Sequence, residues 1–132
     1  MVPVGSRGGA VDRYKEERDA MASPTREDAQ LLIQLAQWGT TLGVWDAMPE
    51  LFAEEFDTDA ADANDDDAVR TMLMFGETIG TLTKQGLLSS ELINEWLWIE
   101  GIWDRVGPAA LRLRERFDEP RLYENFEALA KG

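Results

Sequence analysis

Between Val69 and Trp103 the chain reads VRTMLMFGETIGTLTKQGLLSSELINEWLWIEGIW: a helix, a stop, a cap and a second helix in one unbroken run. In its first half Val69, Met72, Phe75, Gly76, Ile79, Leu82 and Thr83 recur at helical spacing and form one apolar face. Gly86 follows the last periodic residue, where a left-handed backbone ends a helix, and Lys84 suits the negative end of the helix dipole. Ser89 or Ser90 then accepts from the free amides of a new helix, with Glu91 in its first turn. Along that second helix Leu92, Trp96, Ile99, Trp103, Val106, Ala110 and Phe117 share a face, flanked by Ile93 and Leu111. The short link from Gly86 to Ser89 folds the two helices back on each other, so the expected centre of the fold is a Trp-rich helical hairpin.

Two glycines one turn apart, Gly76 and Gly80, give the first helix a flat strip that lets the tryptophan-bearing helix approach closely; a helix-dimer seam is the alternative use. Trp96 and Trp103 are core candidates, each able to bury about 150 to 250 Å². Trp98 and Ile102 point off the main apolar face. Either their helix is central and buried all round, or the pair forms an exposed interaction patch.

Elsewhere the reading is coarser. The first 22 residues hold few apolar anchors, and Gly5, Gly8 and Gly9 mark a flexible N-terminal extension. Lys15-Glu16-Glu17 is what a purine-rich ribosome-binding site yields when translated, and Met21 stands shortly after it, so translation from Met21 is one expectation; a short exposed helix over Asp12 to Met21 is the other. A single helical domain is expected over residues 23–132. Ser23 is the expected cap of its first helix, with Pro24 at the first helical position and Glu27 and Asp28 in the first turn. Leu31, Leu35, Trp38, Leu42 and Trp45 run down one face, with a bend or break near Asp46 to Met48 before Pro49. After Phe56, DTDAADANDDD reads as a solvated loop, with Asp65 or Asp66 capping the next helix. Gly107-Pro108 is expected to kink or restart the Trp-bearing helix, and Pro120 to open a short last helix buried through Leu122, Phe126 and Leu129. The fold class is therefore all-α, a compact bundle of four to five helices.

Chemistry is constrained mainly by what is missing. The chain has neither histidine nor cysteine, which removes imidazole bases, Ser-His dyads, thiolates, disulfides and every metal site built on those ligands. The acidic loop fails as a calcium-binding loop. Counting from Asp57 puts Ala61 at the fifth position, Asp62 where glycine is needed and Ala68 where a bidentate glutamate should stand. Glu77 and Glu100 are the candidate buried carboxylates, able in principle to share acid and base work, or to be held as ion pairs by Arg105 or Arg114. No metal and no cofactor is implied.

Net charge is −13, and residues 27–104 carry seventeen acidic against two basic groups. Such a field repels nucleic acid and anionic membrane, so neither is an expected partner; a basic protein partner or nucleic-acid mimicry stays open, with plain solubility as the bland account. Ten arginines against three lysines fit a GC-rich genome or salt adaptation. No apolar run approaches the roughly 20 residues that span a bilayer, and a cytoplasmic setting is expected.

Glu77-Thr-Ile-Gly80-Thr-Leu82-Thr-Lys84-Gln-Gly86-Leu87-Leu88, then Trp103, Arg114 and the closing Leu122-Tyr123-Glu124-Asn125-Phe126-Glu127-Ala128-Leu129, resemble a family of all-helical bacterial domains of unknown function. The likeness covers residues 27 to 130, chiefly through the Glu-x-x-Gly helix with its glycine stop and the Tyr-Glu-Asn-Phe-Glu ending. It implies a compact helical fold and lends no catalytic residues. Gly76 beside Phe75 and the acidic loop look particular to this chain. The expected role is a non-enzymatic protein-protein interaction or regulatory module, acting on a protein partner or a second copy of itself. A small apolar-ligand carrier, with a cavity among Trp38, Trp96 and Trp103, is the alternative, and an acidic nucleic-acid mimic the third.

Overall fold

The computed structural model describes residues 23–132; the expected N-terminal extension and the Met21 start lie outside them. Among the described residues there are six α-helices, one 3-10 turn and no strand: α1 Arg26–Leu42, α2 Val44–Leu51, the 3-10 turn Ala61–Asp65, α3 Asp67–Lys84, α4 Ser90–Trp96, α5 Ile99–Arg116 and α6 Glu124–Lys131. The fold is all-α, with a Trp-rich aromatic cluster. α3 is its axis. It packs on α6 and α2 along its length and meets α5 as well, and Val69, Met72, Leu73, Phe75 and Ile79 on it are buried to 1% exposure or less.

Helix ends follow local chemistry where that chemistry is present. α1 is capped by Thr25 rather than Ser23: the Thr25 hydroxyl accepts from the Asp28 amide, and Asp28 accepts in return from the Thr25 amide, a reciprocal box that satisfies two free donors at once. The break expected near Asp46 to Met48 falls earlier, at Gly43, whose φ of 88° is left-handed; α2 then runs through Pro49, which has no amide hydrogen to give the Trp45 carbonyl. Asp66 caps α3 by accepting from Val69. At the far end of α3, Gly86 takes φ 73° while its amide bonds Thr83 O and that of Leu87 bonds Leu82 O, the paired closure of a Schellman motif. Ser89 caps α4 by accepting from Leu92.

The expected Trp-bearing helix is two helices. The chain leaves helical geometry at Leu97 (φ −125°, ψ 140°) and resumes at Ile99. That single extended step buries Leu97 and Ile99 on one side and turns Trp98 out on the other, an alternation that a continuous helix cannot provide. At Gly107-Pro108, by contrast, α5 continues without interruption. Phe117, placed on the core face by periodicity, ends α5 at 57% exposure. Pro120 lies in a run of turns, and α6 begins only at Glu124, after Tyr123 has taken a left-handed φ of 61°.

The acidic segment is fastened down. Arg112 on α5 donates to Asn64 Oδ1 at 2.7 Å and to the Thr58 and Ala60 carbonyls at 3.0 and 3.1 Å. Thr58 Oγ1 donates to Arg105 O at 2.7 Å, and Arg70 and Arg116 reach Asp65. Its carboxylates still face water, but its backbone is tied to α5.

Candidate interaction surface at Trp98

The glycine strip has a different tenant from the one expected. A Cβ on Gly76 would lie 2.2 Å from the Phe126 ring, and one on Gly80 would lie 2.4 Å from the Asn125 carbonyl oxygen, so α6 rather than the tryptophan-bearing helix occupies the strip. Glu77 lies between these two glycines in sequence. Its Oε1 accepts from the Phe126 amide and its Oε2 from the Asn125 side chain, both at 2.9 Å. A helix start leaves its first amides free; Tyr123 offers α6 no side-chain cap, and Glu77 supplies one from another helix. On the other flank Arg114 donates to Leu122 O at 2.7 Å and pairs with Glu127 at 3.0 Å. Hydrogen bonding by Lys131 lowers the Glu127 carboxyl against the opposing effect of burial, and Arg114 adds to the lowering.

This latch settles the two carboxylates. Glu77 is half-buried and spends both oxygens on α6, with neither Arg105 nor Arg114 as partner. Glu100 is exposed on the first turn of α5, so it is not a buried carboxylate, and the structure does not make the two an acid-base pair in a core. Among the described residues the buried carboxylate is instead Asp28, 8% exposed. Besides closing the Thr25 box it accepts from the Ser89 amide at 2.8 Å, joining the starts of α1 and α4. Burial pushes its carboxyl up, but the amides of Thr25 and Ser89 and the Thr25 hydroxyl outweigh that and hold it below the ordinary aspartate value. Among the described residues no group of three carboxylates is arranged to hold a metal ion.

Four of the five tryptophans divide between two places. The Phe75 ring has Trp38, Trp45 and Trp96 around it, at centroid distances of 5.7, 6.0 and 6.4 Å. Trp103 packs edge-on against Phe126 at 5.1 Å. Trp103 therefore belongs to the latch, while Trp38 and Trp96 meet Phe75.

Trp98 and Ile102 part company. Ile102 is core at 2% exposure, because after the break at Leu97 it falls on the inner face of α5. Trp98 is the most exposed large apolar side chain described, at 68%, yet it is held. Its indole is stacked on Phe52 at 5.9 Å with the planes 17° apart. Its six-membered ring also lies over Gly101, where any Cβ would come within 2.3 Å. The Arg105 guanidinium lies 5.6 Å from the Phe52 ring centre, extending the cluster. Sequence periodicity missed Phe52 and Gly101 as the seat of Trp98; a glycine three residues after an outward tryptophan was the available signal. Trp98 is among the residues that line a groove of 490 Å³, open to solvent, together with Glu95, Trp96, Glu100 and Leu129.

Among the described residues no helix is long and apolar enough to cross a membrane. No curated protein and no solved structure matches the chain. A family model does match, over residues 12–132, and takes in the Glu-x-x-Gly helix and the Tyr-Glu-Asn-Phe ending that together form the latch. The chain belongs to the family described as Domain of unknown function (DUF4760).

Proposed function

We propose that this domain is a non-enzymatic protein-interaction module of the bacterial cytoplasm, whose contact point is Trp98. The observation that carries the proposal is an indole 68% exposed and yet held against Phe52 and Gly101. Exposed aromatic residues are common anchors of protein interfaces, and one already ordered loses little side-chain entropy when a partner covers it. The carboxylates support the same reading: Glu77 and Asp28 spend their oxygens on backbone amides and the side chains of Asn125 and Thr25, which is a structural use.

The test is affinity capture from the host's lysate on wild-type and Trp98→Ala protein, at roughly 0.1 M and 0.5 M salt. A partner kept by the wild type at both salts and lost by the variant is the expected result. An identical set of captured proteins on both baits would overturn the assignment.

A further inference from the structure

We infer that the groove beside Trp98 receives an arginine-bearing peptide segment of a partner protein, the guanidinium lying on the indole between Glu95 and Glu100. The inference rests on the interaction-module reading above and names the chemistry of the partner.

Three observations converge on it. The first is the platform. A guanidinium is planar and stacks on an aromatic face, and the attraction is greatest for tryptophan. Trp98, one of the residues lining an open groove of 490 Å³, offers such a ring, 68% exposed, stacked on Phe52 and seated on Gly101. The second is charge. Glu95 and Glu100 line the same groove, both are exposed, and among the described residues neither makes an ion pair. Lys131 also lines it, but its ammonium is engaged by Glu127 Oε2 at 2.7 Å. The end of α4 and the start of α5 both border the groove, and their dipoles oppose each other, so the two glutamates set its sign. The third is the rest of the lining. Trp96, Leu129 and Ala130, all partly exposed, give an apolar surface for the methylene stem of a long cationic side chain. A chain with seventeen acidic and two basic residues between 27 and 104 draws a basic segment toward it from a distance, and the aromatic groove decides where that segment stops.

The probe is the capped pentapeptide Gly-Arg-Gly-Arg-Gly, titrated into isotopically labelled full-length protein and followed through backbone amide and indole signals. The expected result is a localised response at Trp98, Glu95 and Glu100. Affinity should fall about five- to tenfold in Trp98→Ala. It should fall about fivefold in the Glu95→Gln/Glu100→Gln double variant, with a flatter salt dependence. The same peptide with citrulline for arginine should not bind, and Glu54→Gln/Glu55→Gln, which removes two exposed charges outside the groove, should change affinity less than about twofold.

A response spread evenly over the acidic residues, with Trp98→Ala binding like the wild type, would overturn the inference in favour of plain charge attraction. The two readings fail separately. If lysate capture depends on Trp98 but the glutamine pair keeps the partner and the peptide does not bind, the arginine inference falls and the module stands. If the peptide binds at Trp98 while capture ignores Trp98, the module reading falls.

Discussion

Glu77 and Phe126, forty-nine residues apart in sequence, share a hydrogen bond of 2.9 Å from the Phe126 amide to a carboxylate oxygen of Glu77. Through it one helix supplies the cap that another helix lacks. Replacing Glu77 with alanine strands the Phe126 amide and leaves the Asn125 side chain with only Thr81 Oγ1 to accept from it, and should cost about 2 to 3 kcal/mol by the value of hydrogen bonds to charged groups. Glutamine keeps one acceptor but loses the charge at the positive end of α6, so about half that loss is expected. Denaturant melts of the two variants check the order.

The two strip glycines should respond differently to the same change. Alanine raises helix propensity by roughly 1 kcal/mol over glycine, but at Gly76 the new methyl meets the Phe126 ring and at Gly80 it meets backbone. Both should lose stability overall, by about 1 to 3 kcal/mol net for overpacking. Trimming Phe126 to leucine should recover part of the Gly76→Ala loss and none of the Gly80→Ala loss. A double-mutant cycle on thermal midpoints measures this; equal rescue at both sites would contradict the geometry.

Gly101→Ala separates fold from surface. Its methyl would displace the indole of Trp98, which is free to swing into solvent. Stability should hold or rise by up to roughly 1 kcal/mol from helix propensity, while the Trp98 indole loses its fixed position. The check is a melt beside the indole line shape in a labelled sample. Unchanged Trp98 signals would show that the ring does not rest on Gly101.

Acid should loosen the joint between α1 and α4. The folded Asp28 carboxyl titrates below its ordinary value of 3.8, so its contribution is complete above that value and disappears as pH falls through the depressed folded one. Stability of the wild type should therefore drop as pH falls below about 4. Asp28→Asn should already be weaker at neutral pH, by about 1 to 2 kcal/mol, and should show a shallower acid slope. Urea melts between pH 2 and 7 decide it.

Arg112→Ala should release the acidic segment. Three acceptors lose their donor, two of them carbonyls of Thr58 and Ala60. A loss of about 2 kcal/mol is expected, with faster amide exchange across residues 57–66 and little change in α3.

The features legible in the sequence are the ones whose physics is local. Gly86, Ser89 and Asp66 end or begin helices through bonds to residues a few places away; Gly86 stops α3 as expected, and Asp66 and Ser89 are the caps out of the expected pairs Asp65 or Asp66 and Ser89 or Ser90. The break at Leu97 carries no glycine or proline, and the apolar period runs straight through it, so pattern alone joined α4 to α5. Thr25 took the cap from Ser23 because only Thr25 has an acidic side chain three residues ahead to answer it. Glu77 was expected as a buried acid-base or ion-paired group and Asp28 only as a first-turn acid, because their partners, Phe126 and Ser89, are distant in sequence. The exposure of Trp98 was one of two open readings; tertiary packing of Phe52 and Gly101 decided it.

The latch also sets an order of events during synthesis. The strip on α3 leaves the ribosome long before Phe126 does, and until that ring arrives Gly76 and Gly80 face a gap with Trp103 beside it. An eight-residue helix is too short to persist by itself in water, so α6 should form only on the surface that receives it. The nascent domain thus carries an open, sticky furrow until nearly all of this sequence has been translated, and that interval is when a chaperone would find it.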